Sequence, residues 1–517
     1  MDTKSILLIY PPVAKPCEAP AGLAKLAYAL RSHGVDCRTY DANLDTLLDT
    51  IAQPRPAEDT WSHRALTHRQ THLEALRSRD LYNNRGRYQR AVMDTTRVLQ
   101  LAGRPVDATI TLSNYTTSRL SPARSADLIQ AAENCESNPF YKRFSGTLRK
   151  QFTQRTPDIV GLSIGFMSQA LCAFAMIGLV KQILPEARLV CGGGLVNSWM
   201  AIPGLGNPFA GLVDELIFGP GEGRLLELCT GQPGMPSAIT GYDYSHMGLD
   251  RYLAPARVLP YSASRGCYWK KCAFCPENSA DGAYRSDDPK VIGQDLDLSV
   301  AQTSPGLIHF LDNALAPRLM HHLIDHPPAA PWYGFARITR HLCEPDFVRG
   351  LRASGCVMLK LGVESGNQQV LDALCKGIDV ATASRALRTI HAAGIATYVY
   401  LLFGTPAENE ASAQATLDFT RRHADTIDFL NLAIFNLPAY GREADELETV
   451  DFYDGDLSLY RQFSHPAGWH RDQVRRFLSK TFKKSALIRP IIKHDPPFFT
   501  SNHAPFFTRH LARMGRT

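Results

Sequence analysis

The chain has 517 residues, of which 44% are hydrophobic and 21% charged, and its formal net charge is +6. This length suggests about two to four domains. The composition excludes disorder as the main state, and the mild charge does not indicate a nucleic-acid-binding protein. The 12 cysteines are too sparse for a disulfide scaffold, and three of them lie close together, which favours a metal site.

Residues 1–229 have the pattern of an α/β domain. Apolar runs predict strands at 5–10, 36–40, 159–164, 187–191 and 215–218, with helices after most of them. A polar, helical insertion is predicted over about 50–155. The later strands end in Ser163, in Gly192, Gly193 and Gly194, and before Gly219. Glycines at the carboxyl ends of parallel strands let a ligand approach the backbone, so we expect a binding site there.

One stretch of this domain, 159–180, has no charged residue and is long enough to cross a bilayer. We interpret it instead as a buried strand, a turn and a helix, because a strand-turn-helix unit buried on both sides is continuously apolar. The N-terminus lacks the basic region and long apolar run of a signal peptide, which predicts a cytoplasmic protein of a bacterium or archaeon.

The second half has the pattern of another α/β domain. Residues 230–257 are rich in Gly, Pro, Tyr and Asp and are predicted as a linker. Six strands are then predicted over 258–440, at 257–264, 307–311, 332–336, 357–363, 396–403 and 428–435. Six such units indicate an incomplete barrel, because a complete one has eight. Residues 441–517 are predicted as a small helical or irregular region, with a basic amphipathic helix at 471–484 and aromatic segments at 494–499 and 505–507 as a loop over a substrate mouth.

Cys267, Cys272 and Cys275 follow the first strand of the second domain. Three thiolates on a short loop can hold three irons of a [4Fe–4S] cluster and leave the fourth iron open to a ligand. The alternative is a zinc site. Zinc would need a fourth ligand, such as His309, and zinc sites usually show two cysteine pairs, whereas only one pair is visible here.

The cysteine segment resembles the radical S-adenosylmethionine (SAM) superfamily, in which such a loop follows the first strand of a partial (β/α)6 barrel. Phe274 matches the aromatic residue before the last cysteine, but the first spacing is four residues where three is usual. The resemblance implies that SAM chelates the open iron. It also implies SAM contacts from Glu364 and Ser365 in a Gly-Val-Glu-Ser-Gly motif, and from Gly404 and Pro406 in a loop near the adenine. Asp312 and Arg337 match weaker motifs after the second and third strands.

The first domain resembles the Rossmann-like cobalamin-binding domain that precedes the barrel in one branch of this superfamily. The resemblance covers the first and last parts of the domain but not residues 50–155. It implies cobalamin contacts from these residues: Ser163, Gly192, Gly193, Gly194, Gly219 and Glu222. No Asp-x-His-x-x-Gly motif offers a lower cobalt ligand. Nicotinamide or flavin binding is the poorer alternative, because Pro11 and Pro12 stand where Gly-x-Gly-x-x-Gly would follow the first strand.

The resemblance therefore implies an α/β enzyme with a cobalamin-type domain, a radical SAM barrel and a small C-terminal region. It would cleave SAM to a 5′-deoxyadenosyl radical and transfer a methyl group from methylcobalamin to an unactivated carbon of a small-molecule or natural-product-like substrate. It would need an external electron donor of the flavodoxin or ferredoxin type. The alternatives are a radical SAM cyclase or oxidoreductase with a vestigial cobalamin domain, and an iron–sulfur binding protein without SAM chemistry.

Overall fold

The computed structural model describes residues 3–233, 241–276, 283–440, 444, 446–496 and 503–510. These residues divide into two compact units. The first contains the chain up to residue 258 together with 453–459, and the second contains 259–452, 460–496 and the described residues from 503 onward. Within the described ranges, no helix has both the length and the apolar character needed to span a membrane.

The first unit is built on a five-stranded parallel sheet with the order β2-β1-β5-β6-β7, and β3 and β4 form a separate antiparallel hairpin. The order reverses between β1 and β5, and ligands of doubly wound sheets bind at such a switch point. The strands of this unit are β1 (Ile6–Tyr10), β2 (Cys37–Asp41), β3 (Ala108–Ile110), β4 (Tyr115–Thr117), β5 (Ile159–Ser163), β6 (Arg188–Gly192) and β7 (Glu215–Leu216).

Helices cover this sheet, and six of them lie between β2 and β5, in and around the segment predicted as an insertion. The helices are α1 (Ala21–Arg31), α2 (Ala42–Ala52), α3 (Thr60–Thr67), α4 (Arg69–Leu76), α5 (Arg85–Gly103), α6 (Ser125–Glu133), α7 (Tyr141–Gln154), α8 (Met167–Ile183), α9 (Gly194–Met200) and α10 (Glu222–Thr230). The uncharged stretch is the buried strand β5 followed by α8, which is buried on nearly every side, as we interpreted it from the sequence.

Residues 241–257, from the segment whose composition predicts a linker, pack with the first unit. The Tyr252 hydroxyl donates to Asp41 Oδ2 at 2.6 Å, and Leu253 N donates to the Pro16 carbonyl at 2.8 Å. The apolar side chains of Tyr252 and Leu253 are buried. Residues 234–240 of the predicted linker lie outside the described residues.

The second unit contains a six-stranded sheet with the order β15-β14-β13-β12-β11-β8, in which β11 to β15 pair in parallel. Its sequential order is that of an open barrel, as predicted. The strands of the unit are β8 (Val258–Tyr261), β9 (Ser264–Arg265), β10 (Arg285–Ser286), β11 (Leu307–Phe310), β12 (Trp332–Ala336), β13 (Cys356–Glu364), β14 (Ala396–Phe403), β15 (Phe429–Ile434), β16 (Leu437–Pro438), β17 (Thr449–Asp451) and β18 (Tyr460–Phe463).

Capping side chains fix where several helices of this unit begin. Asp288, Asp379 and Asn409 each accept a hydrogen bond from a backbone N–H in the first turn of the helix that follows. The helices are α11 (Pro289–Thr303), α12 (Pro317–Asp325), α13 (Pro345–Ala353), α14 (Gln368–Ala373), α15 (Val380–Ala392), α16 (Glu410–Arg422), α17 (Arg471–Lys480) and α18 (Arg489–His494).

The C-terminal region is more varied than the sequence predicts, because β16, β18 and β17 form a small antiparallel sheet. The predicted basic helix is α17 followed by a short 3-10 turn, and its apolar side chains are buried. Phe477 of this helix lies 6.4 Å from Phe403 at the end of β14, ring centre to ring centre. Farther along, His503 stacks on Tyr398 at 4.5 Å. Residues 497–499 of the predicted loop lie outside the described residues.

Candidate cofactor site

Cys267, Cys272 and Cys275 lie on the loop after β9, at the carboxyl end of the first strand of the second unit. All three are half-buried thiols that form no disulfide. Cys275 N donates to the Cys272 carbonyl at 3.1 Å, which closes a tight turn over the two-residue spacing. The loop therefore presents three partly accessible sulfurs, as a cluster-binding loop requires.

Contacts with the segment 374–377 accommodate the four-residue spacing between Cys267 and Cys272. Trp269 Nε1 donates to the Cys375 carbonyl at 3.0 Å, and Ala273 N donates to the Leu374 carbonyl at 3.0 Å. Gly377 has φ +65°, and a Cβ there would lie 2.2 Å from the Trp269 ring. Only glycine therefore fits at position 377, and the cysteine loop packs closely against residues 374–377.

Two buried cations border this loop. Arg337 follows β12, and its Cζ lies 3.7 Å from the centre of the Trp269 ring. Lys376 lies with its Nζ 5.6 Å from the centre of the Phe274 ring. Burial raises the pKa of the Cys272 thiol, while the charges of Lys376 and Arg337 oppose that rise. Both cations favour the thiolate, which is the form that binds iron.

Glu364 ends β13 with φ +65°, just after a register shift between Gly362 and Glu364. Its Oε1 accepts a hydrogen bond from Lys376 Nζ at 2.7 Å, and both side chains are largely buried. The next residue, Ser365, is fully buried, and its hydroxyl lies 3.1 Å from Thr416 Oγ1. Glu364 is thus part of the charged cluster near the cysteines, whereas Ser365 holds the turn against α16.

Gly404 and Pro406 belong to a second cluster, after β14. Gly404 N donates to Glu408 Oε2, and the same oxygen accepts from Trp469 Nε1 at 3.0 Å. Glu408 is only 1% exposed, and burial raises the pKa of its carboxyl to about 7. His465 Nε2 lies 2.8 Å from the Thr405 carbonyl. The shape of this loop therefore depends on the C-terminal region, which sequence motifs alone did not indicate.

Asp312, after β11, fixes the strand ends that lead to the cysteine loop. Its carboxylate accepts hydrogen bonds from Ala263 N at 3.0 Å and from the Ser264 hydroxyl. Burial raises the pKa of this carboxyl to about 6, against the lowering effect of these hydrogen bonds. The Asp312 carboxylate therefore links the segment of β8 and β9 to the end of β11.

His309, the fourth ligand considered for zinc, is engaged elsewhere. Its Nε2 lies 2.9 Å from Lys360 Nζ, and its ring stacks on Tyr333 at 4.4 Å. Among the described residues, no three His, Cys, Asp or Glu side chains converge as one metal ion would require. A [4Fe–4S] cluster does not need such convergence, because each thiolate binds a different iron.

In the first unit, the glycines after β6 pack against the end of β5. Ile164 N donates to the Gly192 carbonyl at 2.8 Å, and Leu195 N donates to the Ile164 carbonyl at 3.1 Å. Gly193 has φ +109°, and a Cβ there would lie 2.6 Å from the Ile164 oxygen. Close backbone packing therefore requires glycine at position 193.

The other predicted residues of this edge lie at the ends of β5 and β7. Ser163 is the last residue of β5, and Gly219 N donates to Asn197 Oδ1 at 2.9 Å. Glu222 is a buried acid in the first turn of α10, where its negative charge interacts favourably with the positive end of the helix dipole. Ser163 and Gly219 are both half-buried, so both are partly open to solvent at the carboxyl edge of the sheet.

Two features of this edge were missed from the sequence. Gln169 is fully buried, accepts from Gly165 N at 2.8 Å and donates to the Pro11 carbonyl at 2.7 Å, so one amide joins the ends of β5 and β1. Phe166 and Phe218 are 56% and 53% exposed although they are large and apolar. Exposed aromatic residues beside small ones form a surface suited to an extended, partly apolar ligand.

Comparison with known proteins identifies a domain that contains this site. Residues 261–420 match the radical SAM superfamily. The chain is 22% identical over 379 residues to the anaerobic magnesium-protoporphyrin IX monomethyl ester cyclase of Rubrivivax gelatinosus, an alignment that covers 61% of this chain and 67% of the cyclase. Residues 261–420 therefore carry a radical SAM domain, and the chain is an enzyme.

Two solved structures share the fold. The radical S-adenosylmethionine methyltransferase TsrM from Kitasatospora setae, with cobalamin and a [4Fe–4S] cluster bound, matches with a TM-score of 0.56 at 14% identity, covering 100% of this chain and 96% of TsrM. The cobalamin-dependent S-adenosylmethionine radical enzyme OxsB matches with a TM-score of 0.51 at 14% identity over 82% of this chain. The match spans about half of OxsB, 52% of its length. These likenesses show the fold, an α/β unit followed in the chain by a second α/β unit.

Proposed function

We propose that this chain is a cobalamin-dependent radical SAM enzyme that methylates an unactivated carbon of a small-molecule substrate. The observation that carries the proposal is the grouping of Cys272, Glu364, Lys376 and Arg337 at the carboxyl edge of the second sheet. Three thiols on one loop, a strand-end carboxylate and two buried cations are the donor set that a cluster and a zwitterionic cofactor need. When bound, the cluster and SAM supply a carbon-centred radical, and cobalamin supplies the methyl group.

In this proposal Cys267, Cys272 and Cys275 each hold one iron, and Phe274 packs beside them. Glu364 accepts hydrogen bonds from ribose hydroxyls. It can do so while paired with Lys376, because a carboxylate has two oxygens and Lys376 uses only Oε1. Gly404 and Pro406 border the adenine, and Ser365 supports the turn after Glu364. A flavodoxin- or ferredoxin-type protein delivers single electrons.

For the first unit we propose that the edge formed by Ser163, Gly192 to Gly194, Gly219 and Glu222 receives cobalamin. The support is the switch-point topology, the small residues that leave the backbone accessible, and the exposed rings of Phe166 and Phe218. TsrM and OxsB, which share the fold, are described as cobalamin-bound and cobalamin-dependent enzymes.

The test is protein produced without oxygen in cobalamin-fed cells, with iron, sulfide and extracted cobalamin measured per chain. About four irons and one cobalamin per chain would support the proposal. The protein is then incubated with methyl-labelled SAM, a one-electron reductant and candidate substrates. Formation of 5′-deoxyadenosine with the label in a product carbon is expected. Zinc in place of iron would exclude radical chemistry.

A second candidate is an oxidative ring closure without methyl transfer. The observation that favours it is the alignment with the Rubrivivax cyclase over 61% of this chain. The same incubation separates the two, because a cyclase would form 5′-deoxyadenosine while no label entered the product. Four irons without cobalamin, even after reconstitution, would favour this candidate and a vestigial first unit.

A further inference from the structure

Arg337 is a buried cation whose acidic neighbours are two thiols and a phenol rather than carboxylates. It is 8% exposed, and the acidic groups that act on it most strongly are Cys272, Tyr268 and Cys267. Its guanidinium donates to the Lys376 carbonyl and hydrogen-bonds to Cys272. No ion pair between Arg337 and an Asp or Glu occurs among the residues that the structure describes. A buried charge needs a counter-charge, and here the nearby candidates are the cysteine sulfurs.

Lys376, the other cation of the cluster, is different. Its Nζ is paired with Glu364 at 2.7 Å, so its charge is largely balanced within the protein. Arg337 is therefore a buried cation near the cysteine loop whose charge no carboxylate among the described residues balances.

Trp269 fixes the position of this charge. Its ring centre lies 3.7 Å from the Arg337 guanidinium, and its Nε1 donates to the Cys375 carbonyl. The bare backbone of Gly377 borders both groups, because a Cβ there would lie 2.2 Å from the ring and 2.9 Å from Arg337 Nη2. Trp269 belongs to the four-residue spacing between Cys267 and Cys272, and Lys270 beside it has φ +44°. The lengthened loop therefore carries the residue that locks the guanidinium in place.

We propose that Arg337 is the counter-charge of the cluster held by Cys267, Cys272 and Cys275 and raises its reduction potential, and that Trp269 positions Arg337 for this role. The inference rests on the proposed function, because it presumes that these cysteines bind a cluster. One-electron reduction, by the external donor named above, adds a negative charge to the cluster. A nearby fixed cation stabilises that reduced form more than the oxidised one.

The test is an EPR-monitored redox titration of anoxically reconstituted full-length protein with dithionite as reductant. Arg337→Gln should lower the midpoint potential, by about 59 mV if the reduction equilibrium changes tenfold. Arg337→Lys keeps the charge and should stay near the wild-type potential. Trp269→Leu should shift the potential in the same direction as Arg337→Gln but by less. Lys271→Gln is the matched control, because it removes an exposed, screened charge from the same loop and should shift the potential least.

An Arg337→Gln protein with full iron content and the wild-type potential would overturn the inference. If that variant takes up no iron, Arg337→Lys decides: a wild-type potential supports the role of charge, and loss of the cluster there as well overturns it. If the wild-type protein itself binds no cluster, the proposed function fails, and that result is distinct from any difference between variants.

Discussion

The carboxyl edge of the first sheet carries glycines, the Gln169 amide, two exposed phenylalanines and one buried acid, Glu222, whereas the corresponding edge of the second sheet carries four buried charged groups. Glu364, Lys376, Arg337 and Glu408 in the second unit are each nearly inaccessible to solvent. Burying charge is costly unless it is paired, so a protein retains such groups where a specific arrangement is needed. The first edge relies instead on backbone shape. The two units thus place different chemistry at the same strand-end position, mainly close backbone packing in the first and fixed charge in the second.

The largest effect that tests this contrast is loss of a cysteine. Cys272→Ser should abolish the cluster, because the site holds three irons through three thiolates and the variant keeps only two of them. Iron and sulfide content and the visible absorption spectrum measure it. Cys343→Ala, a half-buried cysteine outside the loop, should retain full iron content. Retention of four irons in the Cys272 variant would remove this residue from the site.

Breaking the Glu364–Lys376 pair should be the next largest effect. Glu364→Gln leaves Lys376 buried without its partner and should lower the free energy of unfolding by about 3 kcal/mol and SAM affinity at least about tenfold. Chemical denaturation and equilibrium SAM binding measure the two.

The matched control is the double variant Glu364→Gln with Lys376→Met, which removes the stranded charge. It should recover much of the stability but not the SAM affinity. If SAM affinity is unchanged in either protein, Glu364 has no ribose role.

The buried carboxyl of Glu408 should make the second unit sensitive to pH. Its pKa is about 7 when folded against an ordinary value of 4.5, so the folded state binds more protons between these pH values. Stability should therefore fall as pH rises from 4.5 to 7, by about 3 kcal/mol from this group alone. Glu408→Gln mimics the neutral acid and should lose that slope. Denaturation at several pH values compares it with Glu410→Gln, an exposed control expected to keep the wild-type slope.

The smallest losses of stability are expected in the first unit, where close backbone packing at glycines is tested. Gly193→Ala should lower stability by about 2 kcal/mol, because it forces a side chain into a positive-φ position against Ile164. Gly219→Ala has open space around the new Cβ and should cost about 1 kcal/mol from its φ of +73°. Thermal unfolding and cobalamin content measure both. Equal losses of stability would show that the two glycines are not distinguished by packing.

Much of the fold could be predicted because most of the main strands are apolar runs. The strands at 332–336 and 396–403 have the bounds that the sequence predicts. The cysteine loop and Glu364 are visible as motifs because spacing and strand-end position are local properties of the chain.

The remaining features depend on distant partners. Lys376 and Glu364 are twelve residues apart, and no periodicity marks them as a pair. The antiparallel sheet of β16 to β18 was missed because its strands are short and partly exposed, so no alternation of apolar residues is visible. Trp469 meets Glu408 from the C-terminal region, and only the folded chain reveals that contact.

The helices between β2 and β5 have a consequence for synthesis on the ribosome. β1 pairs with β5 from Ile6 opposite Ile159, so its central hydrogen-bonding partner emerges on the order of 100 residues after β2 is complete. At bacterial elongation rates this leaves β1 with one unpaired, apolar edge for on the order of 10 s. An open edge of this kind invites pairing with another chain. Production of this protein should therefore benefit from a low level of expression, which keeps nascent chains apart, independently of its cofactors.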